Sequence, residues 1–414
     1  MPTKVLDLEF SEEIEPIWGG EGYDSLWILV RYHRVPIGWV WVSFTNPSMP
    51  MVSAEQLRQA IAQQLGQKIL LATVGSQYLT QEVEQQTKEP ISVVVCTRDR
   101  AEQLADCLQG LLALDYPTYE IIVVDNAPSN DDTYKLATRL PVRYVREERP
   151  GLDWARNRGI AEARYGIVAF TDDDARADRF WLQAIAKAFA EPEVMAVTGF
   201  VAPAELETPA QFIFELDYGG MGHGFGRRVV RTETLTERHL LWASSFGVGA
   251  NMAFRRDIFT HIGNFDIALD VGTPSHGAGD VEMFHRLVAQ GHTLVYDPAV
   301  IVWHTHRRYK SALYRQIYDN GRSFGCYLLT CWRNRTVQGT SILKFFLYDW
   351  LFKWILHNLV RPPRKLPRYI AVIELAGMLT SPLAYRKSQA WAKKISATYV
   401  ESEIEKNQNH AVIL

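Results

Sequence analysis

The sequence predicts an α/β fold in which a mainly parallel sheet is wound by helices. From residue 91 onward, short apolar runs alternate with segments whose apolar residues recur every three or four positions. Residues 91–96 (ISVVVC) are apolar throughout, which is typical of a strand covered on both faces. Repeated strand–helix units place successive strands parallel in one sheet, because each connecting helix crosses back over a face.

The order of these elements follows from the same patterns. Asp99 with Glu102 predicts a capping box that starts the first helix of this part. Further strands are predicted at 120–125, 142–146 and 167–171, and further helices at 152–163 and 180–190.

The chain is predicted to divide into three parts: an N-terminal accessory α+β unit at 1–85, a catalytic domain at 90–308 and a helical C-terminal region at 309–414. In the first part, residues 26–32 and 37–42 predict a hairpin and residues 54–65 a helix. The polar segment 81–90 predicts a linker. No chemical constellation marks this unit, so an accessory or docking role is expected.

Composition excludes several classes of protein. A formal net charge of -3 over 414 residues gives no general basic field, so no nucleic-acid partner is expected. Four cysteines without a CxxC pair favour reduced thiols and a cytoplasmic protein. The acidic N-terminus does not resemble a signal peptide. Residues 341–360 are apolar but carry Lys344, Asp349 and Lys353, which argues against a transmembrane helix.

Polar clusters follow three of the predicted strands. They are residues 97–100 (TRDR), Asp125 with Asn126, and the triplet 172–174 (DDD). Ligands of parallel sheets gather at the carboxyl ends of the strands. The three clusters therefore predict a polar pocket at one edge of the sheet.

The aspartate triplet is the sharpest of these signals. Three adjacent carboxylates repel one another unless a cation or hydrogen-bond donors neutralise them. Mg²⁺ or Mn²⁺ prefers one or two carboxylates together with phosphate oxygens of a substrate. The alternative is a solvated acidic turn before the next helix, and the buried strand that precedes the triplet favours the metal.

Five blocks of the sequence resemble family-2 glycosyltransferases. They are ISVVVCTRDRAEQLADCLQGLLALDYPTYEIIVVDNAPSND, GLDWARNRGIAEARYGIVAFTDDDA, GVGANMAFRRDIFTHIGNFD, GAGDVEMFHRLVAQGHTLVYDPAVIVWHTH and YRQIYDNGRSFG. The resemblance covers about residues 91–325 and implies a GT-A fold. It also implies a nucleoside-diphosphate sugar donor and a glycan, lipid-linked or other hydroxyl acceptor.

The resemblance implies roles for the residues that match. Asp174 would bind the metal, with His304 completing its site, and Asp125 would contact the base beside Thr97. Asp172 or Asp173 would bind the ribose. The other residues expected to bind the nucleotide sugar are Arg98, Arg100, Arg156 and Asn157. Two alternatives remain: Arg98 and Arg100 would only lie at the surface beside their helix, and His304 would have only a structural role.

Asp280 is the candidate catalytic base. It follows the glycine-rich residues 277–279, and transfer with inversion needs a carboxylate that takes the proton of the acceptor hydroxyl. The family usually has Glu–Asp here, whereas this chain has Gly279–Asp280, so the acceptor contact of that glutamate is absent. Glu282 on a helix would point elsewhere. The alternative is that Asp280 only caps its helix.

The predicted function is therefore an inverting, metal-dependent sugar transfer. A retaining transferase, a sugar-1-phosphate nucleotidylyltransferase and a non-catalytic nucleotide- or glycan-binding protein remain alternatives. In the C-terminal region, an aromatic stretch at 345–355 precedes a basic cluster at 361–368. This pattern predicts either peripheral contact with the inner face of a membrane or a helical subdomain that packs on the catalytic core.

Overall fold

The N-terminal part forms its own small sheet in the computed structural model, which describes residues 2–19, 22–44, 51–79, 88–360 and 366–411. The sheet order is β1-β3-β4, with β1 parallel and β4 antiparallel to β3, and the strands β2 and β5 form a separate ribbon. The elements are β1 (Thr3–Glu9), β2 (Ile17–Trp18), β3 (Ser25–Tyr32), β4 (Val35–Ser43), β5 (Met51–Val52) and α1 (Ala54–Leu79). The predicted hairpin is confirmed.

The helix α1 is longer than predicted, since it continues well past residue 65. Gly66, which weakens a helix interior, lies within it instead of ending it. Of the predicted linker, residues 81–87 lie outside the described part of the chain.

A nine-stranded sheet is the centre of the molecule. Its order is β10-β14-β11-β13-β9-β6-β7-β8, with β12 beside β14. The strands β9, β6, β7 and β8 are parallel, β11 and β14 are parallel, and β13 is antiparallel to both of its neighbours. Its strands are β6 (Ile91–Thr97), β7 (Tyr119–Asn126), β8 (Arg143–Glu147), β9 (Ile167–Asp172), β10 (Ala175–Ala177), β11 (Val194–Pro203), β12 (Arg228–Val230), β13 (Asn251–Arg255) and β14 (Thr293–His304). The predicted α/β class with a mainly parallel sheet is confirmed.

Helices cover both faces of this sheet, as continuous apolar strands require. One face packs on α2 and α5, through side chains such as Leu108 and Ile185, and the other packs on α4 and α9, through Ile160 and Phe284. The helices are α2 (Ala101–Leu112), α3 (Asp132–Ala137), α4 (Leu152–Glu162), α5 (Trp181–Ala188), α6 (Pro209–Phe212, continued by a π-helix at Ile213–Tyr218), α7 (Glu237–Leu241), α8 (Ile258–Ile262) and α9 (Gly279–Ala289).

The predicted capping box at the start of α2 is wrong. The residue before the helix is Arg100, whose side chain makes no capping hydrogen bond. Asp99 instead adopts a left-handed backbone conformation (φ 55°), and its carboxylate accepts a hydrogen bond from the backbone N–H of Ser129. Asp99 therefore fixes the loop after β7.

The N-terminal sheet is joined to the central sheet by apolar packing and an ion pair. Leu29 lies in one buried cluster with Phe200, Ile301 and Trp303 of β11 and β14. Arg31 pairs with Asp7 of its own sheet and with Asp178, 2.8 Å away, just after β10. The two sheets therefore support each other at the edge that carries β10.

The C-terminal region is helical, as predicted. It contains α10 (Lys310–Asn334), α11 (Gly339–Lys344) continued by a π-helix at Phe345–Leu356, α12 (His357–Val360) and α13 (Arg368–Ala411). The helices α10 and α13 approach closely at glycines. A Cβ atom on Gly321 would lie 2.0 Å from the carbonyl oxygen of Glu374, and one on Gly377 would lie 1.9 Å from that of Tyr318.

Among the described residues, no helix has the length and apolar character needed to span a bilayer. Residues 361–365 of the predicted basic cluster lie outside the described part.

Candidate functional site

The carboxyl ends of three neighbouring strands carry the site. Strand pairing places Thr97 of β6 opposite Asp125 of β7, and Cys96 of β6 opposite Asp172 of β9. The predicted polar clusters therefore share one edge of the sheet, because parallel strands end on the same side.

A turn from β9 into β10 brings the aspartate triplet to the end of β14. The strand β10 pairs antiparallel with β14 and sets Ala175 opposite His304. As a result the Nε2 atom of His304 lies 3.2 Å from the Oδ1 atom of Asp174. One ligand atom each from Asp172, Asp174 and His304 lies within 4.8 Å of the others.

This group fits Mn²⁺ by the chemistry of its donors. Two carboxylate oxygens with one imidazole nitrogen suit Mn²⁺ better than Mg²⁺, and they leave room for phosphate oxygens. Burial, followed by the charge of Asp174, raises the pKa of Asp172 to about 6. The pKa of Asp174 is lowered despite its burial, because His304 and Arg100 stabilise the carboxylate. A bound cation would therefore stabilise the ionised form of Asp172.

Arg100 neutralises the other side of the triplet. Its guanidinium nitrogens lie 2.6 Å from Oδ1 of Asp173 and 2.7 Å from Oδ2 of Asp174. Thr97 donates a hydrogen bond of 2.7 Å to the second oxygen of Asp173, which is 4% exposed. Asp173 is thus held by the protein itself, whereas Asp172 forms no salt bridge with a residue of the described part of the chain.

Asp125 offers a free acceptor in a buried position. Tyr144 on β8 donates a hydrogen bond of 3.0 Å to its Oδ2 atom. Its Oδ1 atom is buried and has no hydrogen-bond partner among the described residues. Burial raises the pKa of this carboxyl. An unsatisfied buried oxygen suits an N–H group of a ligand. Tyr144 is not predicted from the sequence, in which nothing but its place on a strand marks it.

A second acidic cluster surrounds Arg156 on α4. The guanidinium lies 3.0 Å from Asp153 and pairs with Asp270, and all three side chains are buried. The Oδ2 atom of Asp153 is buried without a partner in the described structure. The charges of Asp172 and Asp280 also act on the pKa of Arg156. This arginine therefore lies within electrostatic reach of both the triplet and the candidate base.

Asp280 lies at the first turn of α9, beside this cluster. Its Oδ2 atom accepts a hydrogen bond of 2.6 Å from the backbone N–H of Gly249, and its Oδ1 atom accepts one of 2.8 Å from Val281. A Cβ atom at Gly249 would come within 2.6 Å of Arg156 and 3.1 Å of Asp280, so glycine is required there. Burial, then the charge of Asp270, raises the pKa of Asp280. A raised pKa makes a carboxylate a better proton acceptor.

Three other residues near the site are exposed or have partners within the protein. The side chain of Arg98 is 49% exposed and lies 3.8 Å from Asp99. Asn157 exchanges two hydrogen bonds, of 3.0 and 2.9 Å, with the backbone of Phe265. Glu282 is paired with Arg286 along α9, which agrees with the expectation that it points away. Their predicted or suggested roles toward substrate gain no geometric support.

His304 belongs to a longer hydrogen-bonded chain. Its Nδ1 atom lies 3.3 Å from Nδ1 of His306, whose Nε2 atom lies 2.9 Å from Oε2 of Glu215. The chain orients the imidazole so that Nε2 faces Asp174. Glu215 lies in the π-helical turn after α6 and was not among the predicted residues. No local sequence signal connects it to His304.

The sheet order and the strand-end acids agree with the GT-A fold that the sequence predicts. The family model described as "Glycosyl transferase family 2" matches residues 92–263 of this chain.

Two curated relatives come from Haloferax volcanii. One is named glucosyl-dolichyl phosphate glucuronosyltransferase and is 26% identical over 42% of this chain and 56% of its own length. The other is named glycosyltransferase AglE and is 26% identical over 55% of this chain and 70% of its own length. The first match therefore spans little more than half of that relative.

A solved structure resembles this chain weakly. It is the mannosyltransferase PcManGT from Pyrobaculum calidifontis in complex with GDP-Man and Mn²⁺, with a TM-score of 0.45 and 18% identity over 85% of this chain and 90% of that one.

Proposed function

We propose that the protein transfers a sugar from a nucleoside-diphosphate donor to an acceptor hydroxyl, with inversion at the anomeric carbon. The observation that carries the proposal is the cluster of Asp172, Asp174 and His304 at the sheet edge that also presents the free oxygen of Asp125. The end of that edge at Asp125 suits the base of a nucleotide, and the end at Asp172, Asp174 and His304 suits a metal-bound diphosphate.

On the donor side, Asp125 would accept a hydrogen bond from the base, with Tyr144 holding its other oxygen. Asp172, Asp174 and His304 would hold Mn²⁺, or less favourably Mg²⁺, which stabilises charge on the departing diphosphate when bound. Arg100 pairs with Asp173 and Asp174 and would turn toward the phosphate oxygens.

On the acceptor side, Asp280 would take the proton from the attacking hydroxyl. The acceptor oxygen forms its bond to the anomeric carbon as the bond to the diphosphate breaks on the opposite face. Gly249 holds one oxygen of Asp280 in place, and the neighbouring Asp270 disfavours a second negative charge nearby. Burial and the charge of Asp270 raise the pKa of Asp280 and so favour proton uptake, whereas the hydrogen bond from Gly249 fixes the position of the carboxylate.

The acceptor that we propose is lipid-linked, since one relative is named for a dolichyl phosphate substrate. Such an acceptor requires the enzyme to work at a bilayer, so peripheral contact with the inner face of a membrane is part of the proposal. Glycans and other hydroxyl acceptors are outcomes of an acceptor screen.

Thermal unfolding with a panel of UDP-, GDP- and dTDP-sugars tests the donor side. One of them should raise the melting temperature in the presence of Mn²⁺, because bound ligand stabilises the folded state by about 2.7 kcal/mol at a hundredfold excess over Kd. The Asp174→Ala variant should lose the Mn²⁺-dependent part of that shift. Asp257→Ala, which removes an exposed acid at the start of α8, is the control. An undiminished Mn²⁺-dependent shift in Asp174→Ala would refute the metal assignment.

A further inference from the structure

The helical segment between Gly339 and Val360 exposes a face without acidic side chains. From residue 343 onward its exposed residues recur at the spacing of one helix face, and they are apolar residues, lysines and one histidine. They are Leu343, Lys344, Leu347, Tyr348, Phe352, Lys353, Leu356, His357 and Val360. The acid of this stretch, Asp349, is buried and paired with Arg238. Nothing on this face therefore repels an anionic partner.

The outward side of α13 has the same character. From Arg368 to Thr398, its exposed side chains are apolar, small or cationic, and none is acidic. Its acid in this stretch, Glu374, is buried. The larger exposed residues are Arg368, Tyr369, Val372, Leu379, Pro382, Leu383, Arg386, Lys387, Lys393 and Lys394. The apolar ones come first along the helix and most of the cations follow.

The two surfaces belong to neighbouring helices. Trp354 on the first donates a hydrogen bond of 2.9 Å to Glu374 on α13. Ten of the 22 large apolar side chains exposed in the described residues lie between Leu343 and Leu383. We call the exposed residues of these two helices, 343–360 and 368–398, the C-terminal face. It concentrates exposed apolar area in a small part of the molecule.

We propose that the C-terminal face binds the surface of a bilayer that contains anionic phospholipids. Apolar side chains would enter the headgroup layer while lysines and arginines contact lipid phosphates, which is how interfacial helices bind membranes. The chain as a whole carries a net charge of -3, so the absence of exposed acids here is not a property of the whole surface. No helix among the described residues could cross the bilayer, so the binding is peripheral.

Charge complementarity favours lipid over a second copy of the chain. A symmetric dimer through this surface would set the same patch against itself. The cations of α13, among them Lys387, Lys393 and Lys394, would then find no exposed acid on the facing copy of this surface to pair with. An anionic bilayer has the opposite charge, and it accommodates the apolar residues as well.

This inference deepens the proposed function, on which it rests for the lipid-linked acceptor. The two can fail separately, because lipid binding is measured without donor or acceptor, and transfer can be measured to a water-soluble acceptor. Loss of transfer with intact vesicle binding would overturn only the proposed reaction. Absence of vesicle binding with intact transfer would overturn only the membrane surface.

Flotation of the full chain with vesicles tests the proposal. The protein should float with phosphatidylcholine vesicles that contain phosphatidylglycerol and not with phosphatidylcholine alone, and the bound fraction should fall as salt rises. Phe352→Glu with Leu379→Glu should weaken binding at least tenfold. Leu70→Glu, at a 63% exposed leucine on α1, is the matched control.

A second pair of variants tests the charges. Lys393→Glu with Lys394→Glu should weaken binding to anionic vesicles several-fold, whereas Lys135→Glu, at an exposed lysine of α3, should not. Equal binding by all variants would overturn the proposal. So would light scattering that shows a dimer in free solution which Phe352→Glu dissociates, since the face would then bind a second copy.

Discussion

The two acidic clusters near the sheet edge differ in how their charges are balanced. The triplet at 172–174 is contiguous in sequence and meets its cations, Arg100 and His304, from outside the turn. The cluster of Asp153, Asp270 and Asp280 comes from separate segments and surrounds the single buried Arg156. In the proposed mechanism a metal would replace a protein cation in the first arrangement, whereas Arg156 stays buried among its acids in the second.

Loss of the carboxylate at Asp280 should give the largest effect. Asp280→Asn keeps the shape of the side chain but cannot take a proton, so turnover should fall about 10²–10⁴-fold. Binding of donor and metal, measured by calorimetry, should stay unchanged because the triplet is untouched. Glu282→Gln, at a buried acid paired with Arg286 on the same helix, should retain transfer. Wild-type turnover by Asp280→Asn would remove Asp280 from the mechanism.

Removal of the buried cation Arg156 should lower the free energy of unfolding. Arg156→Gln leaves Asp153 and Asp270 buried without compensation, which should cost about 3–5 kcal/mol in the free energy of unfolding. Urea denaturation measures the change. Arg158→Gln on the same helix breaks a pair with Glu162 whose side chains are 41% and 30% exposed, so it should cost less than about 1 kcal/mol. Equal losses in both variants would show that Arg156 is not the centre of a buried cluster.

Glu374 differs from both acidic clusters, because it forms no salt bridge with any residue that the structure describes. Glu374 on α13 is buried and accepts a hydrogen bond from Trp354, and burial raises its pKa from 4.5 to about 7. Because the folded pKa lies above the unfolded one, the neutral form stabilises the fold at low pH. That contribution is lost as pH rises from 4.5 to about 7 and amounts to about 3 kcal/mol.

Glu374→Gln should therefore lose this part of the pH dependence. Between pH 5 and pH 8, the wild type should lose stability relative to the variant, as measured by urea midpoints. Glu102→Gln, at an exposed glutamate of α2, should follow the wild type. Parallel curves for wild type and Glu374→Gln would show that this carboxyl ionises as freely in the folded chain as in the unfolded one.

The sequence predicted the parts of the fold that depend on local patterns. The apolar run at β6 and the polar residues after β6, β7 and β9 located the sheet edge, because strand ends follow from hydrophobic runs. The prediction failed at Asp99, where a general capping rule competes with a contact to Ser129 thirty residues away in sequence. Local chemistry at that position was compatible with either arrangement.

The partners of the site residues could not be predicted in the same way. Arg156 meets Asp270 across 114 residues of sequence, and His306 meets Glu215 across 91. Such pairs depend on how β14, α6 and α9 pack, and no periodicity or spacing encodes them. Asn157 shows that a sequence match does not reveal a partner either. It lies in a segment that resembles the family, yet both of its amide atoms form hydrogen bonds with the backbone of Phe265.

The glycine contacts between α10 and α13 bear on the distance between a bound bilayer and the site at Asp280. A side chain at Gly321 or Gly377 would clash with the backbone of the other helix. The two helices therefore pack backbone against backbone, unlike two helices joined only by a linker. An enzyme that rests on a bilayer through α13 would hold its sugar-transfer pocket at a fixed height above the headgroups. The length of the lipid carrier's polar head, and not the reach of a linker, would then select which acceptor hydroxyl arrives at Asp280.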